Sequence, residues 1–95
     1  GVAEGIARVV KSPQEFESVR QGDIMVCIMT NPAWVVVFSK IAAIVTDAGG
    51  VLSHSATVAR EFMIPAVVGT GSATKEIKSG DRIRVDGNKG VVTIL

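Results

Sequence analysis

Three short apolar runs do most to limit what this chain can become: Ile24–Met29, Ala43–Thr46 and Ala66–Val68. The first follows the turn Gln21-Gly22-Asp23 and is continuous rather than alternating, so it reads as a strand buried on both faces. The other two read as the next strand and a short buried strand. Between them lie helix-start signals. Ser12-Pro13-Gln14-Glu15 offers a capping residue, a proline at the first helical position and an acid at the capping-box position, predicting a short helix ending near Gly22. Thr30-Asn31-Pro32 repeats the logic and predicts a helix from Pro32 to about Lys40, against the preference of Val35-Val36-Val37. A further helix opens at Ser53 or His54 and runs to about Met63, where Pro65 closes it. Gly5–Val10 reads as a first strand, Thr74–Lys78 as a helical turn, and Asp81–Val85 with Val91–Leu95 as a hairpin around Asp86–Gly90. Strands alternating with short helices predict a mixed α/β fold with layered sheets and helices, a single domain over residues 1–95.

Composition agrees and excludes several functions. The chain is 47% apolar, mostly Val, Ile and Ala, which suits one compact core. Net charge is +1 with no basic block, and Tyr is absent, so nothing predicts nucleic-acid binding. No run is long enough to span a bilayer and no signal peptide is visible, so the expectation is a soluble cytoplasmic domain. Cys27 is the sole cysteine and reads as core, as does Trp34; Phe62 and Met63 are expected to pack. No acidic, His or Cys cluster has metal-ligand spacing, and no Walker-type loop is present. Gly69-Thr70-Gly71 reads as an ordinary turn.

The chemistry gathers at the only histidine, His54, which follows the Gly49-Gly50 loop and begins a helix. A helix N-terminus presents unpaired N–H groups and partial positive charge, a setting suited to an anion. Gly49 and Gly50 permit close backbone approach and positive φ, and Ser53 and Ser55 offer hydroxyl donors on either side. An imidazole can attack phosphorus without first losing a proton and forms a labile P–N bond, splitting one transfer into two. Two turns further on, Glu61 lies close to the His54 face of the helix while Arg60 points away, so Arg60 reaches a phosphate only if the chain bends or a loop assists. No carboxylate–histidine pair or metal set points to a stand-alone hydrolase.

The segment Thr46–Glu61, with Ile64-Pro65-Ala66-Val67-Val68-Gly69-Thr70-Gly71, Gly80-Asp81, Val85-Asp86-Gly87 and Gly90-Val91-Val92, resembles the phosphohistidine domain of the phosphoenolpyruvate-utilising enzymes. These include pyruvate phosphate dikinase, phosphoenolpyruvate synthase and Enzyme I of the sugar phosphotransferase system. Thr30-Asn31-Pro32 resembles the family's Thr-x-Pro segment, and the likeness covers roughly Ile24 to Leu95. The resemblance implies a mobile, swivelling β/β/α sandwich. It implies that His54 is the phosphoryl carrier, that Gly49, Gly50 and Ser53 form the loop before it, and that Arg60 is the arginine of the family's Ala-Arg pair. It also implies that separate nucleotide-binding and phosphoenolpyruvate- or pyruvate-binding domains or subunits hold the substrates and Mg2+, with no cofactor bound by this chain alone. On that basis the chain is expected to be an excised domain or one subunit, relaying phosphate to pyruvate or another acceptor. Leu52 stands where dikinases and synthases typically carry a regulatory threonine, so that regulation is expected to be absent. The alternative is a non-catalytic swivelling-type interaction module that holds a partner through the apolar Val51-Leu52 loop.

Overall fold

The computed structural model describes residues 1–95. Its strands are β1 (Val2–Val9), β2 (Ile24–Cys27), β3 (Ala43–Thr46), β4 (Ala66–Val67), β5 (Arg82–Asp86) and β6 (Val91–Ile94). Its helices are α1 (Val35–Phe38), α2 (His54–Glu61) and α3 (Ala73–Glu76), with 3-10 turns at Pro13–Ser18 and Pro32–Trp34. All six strands form one sheet in the order β4-β3-β2-β1-β5-β6. β1 to β4 pair in parallel, and β1, β5 and β6 pair antiparallel, so β1 belongs to both halves. The sheet curls until Gly87, just past β5, lies against β4; a Cβ there would stand 3.4 Å from the Ala66 nitrogen.

That curl creates two cores from alternating side chains. Ile24 and Val26 of β2 and Ala43 and Val45 of β3 point toward Ile83 and Val85 of β5 and toward α3. Met25, Cys27 and Ile44 point the other way, toward Trp34, Phe38, Val58 and Ala59. Every residue of β2 and β3 is therefore buried, as the apolar runs require. The layers are the antiparallel half with α3, the parallel half, and α1 with α2. This is the β/β/α sandwich expected from the sequence. Cys27 and Trp34 are core residues, and burial, with the Asp47 carboxylate contributing, pushes the Cys27 thiol up to about 12. On the outer face of β5, Arg82 and Arg84 meet Glu4 in exposed ion pairs that add little stability.

The local differences have local causes. The first helix is only the 3-10 turn Pro13–Ser18; Ser12 makes no side-chain cap, and Glu15 instead accepts from the Lys11 N–H at 3.1 Å. The Pro32–Lys40 helix forms as a 3-10 turn followed by one α-turn, as expected where β-branched residues crowd the preceding turn. Its cap is Asn31, whose side chain accepts from the Ala33 N–H at 3.0 Å. β1 starts at Val2 rather than Gly5, held by β5.

Met63 was expected to pack and instead is 90% exposed, with φ at 60°. Two bonds explain it: Ile64 N–H reaches Ala59 O at 3.0 Å and Met63 N–H reaches Arg60 O at 3.2 Å. These close α2 in a Schellman motif whose left-handed position Met63 occupies. Phe62 does pack, against Phe38 at 5.9 Å between ring centres, while remaining 40% exposed. A left-handed residue with a Cβ costs about 1–2 kcal/mol, which glycine relieves less its own entropy cost. Met63→Gly is therefore expected to raise stability by about 0.5–1 kcal/mol in urea unfolding. A loss of stability would show that Met63 has packing the geometry does not reveal.

Candidate functional site

In a parallel sheet the carboxyl ends of neighbouring strands open on the same side, and the loops leaving them meet there. Here those loops leave β2, β3 and β4. The first carries Thr30, the second carries Gly49, Gly50, Ser53 and His54, and the third carries Gly69, Thr70 and Gly71.

His54 is the first residue of α2 and is half-buried. Ser53 caps the helix, its hydroxyl accepting from the Ala56 N–H at 3.3 Å. The imidazole lies edge-on to the buried ring of Phe38, with centroids 6.3 Å apart. Its Nδ1 stands 2.7 Å from Thr30 Oγ1, and Thr30 Oγ1 stands 2.7 Å from Ser55 Oγ. Nε2 has no hydrogen-bond partner within the chain. When Nδ1 donates to Thr30, and Thr30 in turn donates to Ser55, Nε2 keeps its lone pair for an incoming atom. The opposite direction places the proton on Nε2 and removes its nucleophilicity.

The loop before His54 depends on Gly49. Its φ is +107°, and a Cβ there would stand 3.0 Å from Ser53 Cβ and Oγ. Gly50 has neither constraint: its φ is not positive and a Cβ would face open space. The two glycines thus differ, although adjacent and alike in the sequence. Ser55 also departs from expectation. It is buried, and its hydroxyl meets Thr30 rather than flanking the imidazole as a free donor. Arg60 folds back over the first turns of α2, where Nη2 donates to the Val51 carbonyl at 3.0 Å and lies 3.4 Å from Thr57 Oγ1. Arg60 thus holds the loop that precedes His54, and its guanidinium makes no hydrogen bond to the imidazole.

Sequence reasoning missed the contact of Thr30 with His54. The two are 24 positions apart, and only the parallel pairing of β2 with β3 brings their loops together. The sign available in the sequence was the polar residue ending a long apolar run. It also missed Asp47, whose carboxylate accepts from both the N–H and the hydroxyl of Thr74. Gly69 does more than turn the chain, because a Cβ there would stand 2.7 Å from the Gly49 carbonyl oxygen.

The segments that carry Thr30 and His54, from Ile24 to Ser39 and from Ala48 to Ala59, contain no Lys, Arg, Asp or Glu. Two hollows of about 190 and 320 Å3 mark the surface, and His54 lines neither. No group of three His, Cys, Asp or Glu side chains is placed to hold a metal ion. No helix is long and apolar enough to cross a membrane.

Fold and site together define an α/β sandwich that presents one imidazole at the mouth of a parallel sheet. Residues 19–90 match the family model described as the mobile domain of PEP-utilising enzymes, and the chain belongs to that family. It is 45% identical over its full length to an uncharacterized phosphotransferase of Bacillus subtilis. Over 97% of its length it is 49% identical to a probable phosphoenolpyruvate synthase of Staphylothermus marinus. It spans 11% of the length of each of these two relatives. The solution structure of Enzyme I (nEIt) superposes with a TM-score of 0.72 at 32% identity, covering 83% of this chain and 33% of that one.

Thr30→Val keeps the side-chain shape and deletes the hydroxyl. Losing one orienting hydrogen bond, about 1 kcal/mol, is expected to shift the His54 tautomer balance about five- to tenfold away from Nδ1–H. Ring 15N shifts read that balance, and an unchanged pattern would show that Thr30 does not set it.

Proposed function

We propose that this domain carries a phosphoryl group on Nε2 of His54 within a phosphoenolpyruvate synthase-like phosphotransferase. It relays the group between a nucleotide site and a pyruvate, phosphoenolpyruvate or other acceptor site, both lying on other domains or subunits. The observation that carries this reading is the placement of His54. Nε2 is unpartnered, and the residue stands outside both surface hollows, so it is presented outward rather than enclosed around a substrate.

In the first half-reaction the Nε2 lone pair attacks the donor's phosphorus. The bond to the leaving oxygen breaks, and that oxygen departs with its electron pair. In the second, an acceptor oxygen attacks the same phosphorus and the P–N bond breaks, returning its pair to Nε2. Nδ1 holds its proton on Thr30 throughout, so no separate base is needed at the imidazole. The N–H groups of His54 and Ser55 at the start of α2 have no partner within the chain and favour the phosphoryl charge. Arg60 supports the loop through Val51.

Docking is supported by the apolar surface beside the histidine. Met29, Val51 and Leu52 are 60%, 75% and 89% exposed, and pressing them against a second domain would drive water from the transfer site. Mg2+ would neutralise phosphate charge on those other domains.

With [32P]phosphoenolpyruvate and the full-length protein, the expected product is an acid-labile, base-stable label that His54→Ala abolishes. Undiminished labelling of His54→Ala would contradict the carrier role. Partner binding without any phosphohistidine would instead identify an interaction module built on the Val51-Leu52 loop.

A further inference from the structure

The Thr30–His54 bond joins side chains from two different loops, so its 2.7 Å length requires those loops to keep one register. Asp47, the first residue past β3, bonds to both neighbouring loops at once. Its N–H donates to the Cys27 carbonyl at 3.0 Å, in the segment that leads to Thr30. Its own carbonyl accepts from the Gly71 N–H at 2.9 Å, and its carboxylate accepts from the Thr74 N–H at 2.9 Å and from the Thr74 hydroxyl. Around it, Thr70 donates through N–H and Oγ1 to the Thr46 carbonyl at 3.0 and 3.1 Å, and Ala48 N–H reaches Ile28 O at 2.9 Å. The Gly49 carbonyl lies so close to Gly69 that only a hydrogen fits there.

The backbone bonds at Asp47 are ones any residue can make. The side-chain bonds are not: they need two polar atoms at a fixed distance from the backbone, at least one an acceptor, facing an N–H and a hydroxyl of one residue. Through these two bonds the carboxylate ties α3 to the β3 end. Two residues beyond Asp47, Gly49 begins the turn through Ser53 that aims His54.

Resting on the carrier reading of His54, we propose that Asp47 and Thr74 form a clamp that positions the imidazole. The clamp keeps Nδ1 on Thr30 and Nε2 outward, so it sets which ring nitrogen is phosphorylated and how fast. Asp47 is a positioning residue; it touches neither the phosphoryl group nor the imidazole.

Phosphoramidate tests this without requiring any donor site. The imidazole nitrogen attacks its phosphorus, the P–N bond of the reagent breaks, and ammonia leaves. In the full-length protein the His54 signal is the one absent from His54→Ala, and 31P NMR separates phosphate on Nδ1 from phosphate on Nε2. The parent is expected to label at Nε2 alone. Thr74→Val, which keeps the backbone bond and removes the hydroxyl, and Asp47→Ala, which removes both side-chain bonds, should label about tenfold more slowly and at both nitrogens. Thr74→Ser, which restores the hydroxyl, should behave as the parent. Loss of thermal stability alone does not change regiochemistry, so the isomer ratio separates positioning from a purely structural role. Parent-like rate and isomer in a folded Thr74→Val overturn the clamp while leaving the carrier reading intact, and so does a Thr74→Ser as impaired as Thr74→Val. Thr74→Val decides the matter if Asp47→Ala does not fold. Identical signals from parent and His54→Ala would remove the carrier reading, and the clamp with it.

Discussion

β2 and β3 are buried on both faces, and most of the rest of the structure follows from that constraint. A strand covered on both sides has no solvent-facing side chains, so polar chemistry is driven to its ends. Parallel pairing then gathers the carboxyl ends of β2, β3 and β4 on one side of the sheet. Thr30, His54 and Thr70 share a neighbourhood because their strands do, although they are distant in sequence. The same burial makes Cys27 inert, holding its thiol up near 12, so the one cysteine packs rather than reacts.

Within that neighbourhood, rigidity and exposure are divided between the two sides of His54. Behind it lies a bonded layer: Phe38 against the ring, Thr30 on Nδ1, Ser55 on Thr30, and Ser53 capping the helix. In front lie Val51 and Leu52, exposed, apolar and uncharged. A group that is to react in a site supplied by another domain needs both properties. Its own orientation is fixed in advance, which lowers the entropic part of the barrier, and its rim sheds water readily on contact.

Much of the fold was legible because hydrophobic continuity reports directly on burial. Ile24–Met29 and Ala43–Thr46 read as strands, and Asn31-Pro32 marked a helix start that Asn31 does cap. The run was overread only at its end, where Ile28 and Met29 are exposed past the last residue of β2. His54 was legible because a lone histidine after two glycines and before a helix is a local pattern. What escaped depended on contacts between loops. Ser55 is adjacent to His54 in sequence yet acts only through Thr30, which no local rule connects to it. Met63 seemed a packing residue until the left-handed closure of α2 turned its side chain to solvent. Gly49 and Gly50 look alike in a sequence, and only the close approach of Ser53 shows that one of them is indispensable.

The central claim is that the phosphoryl group on His54 lies on the reaction path. The direct measurement is the single-turnover fate of protein labelled beforehand with 32P on His54, mixed with its acceptor in a quenched-flow instrument. The label is expected to leave His54 and appear in the phosphorylated product at least as fast as steady-state turnover. Label that leaves more slowly than turnover, or passes to water rather than to the product, would contradict it.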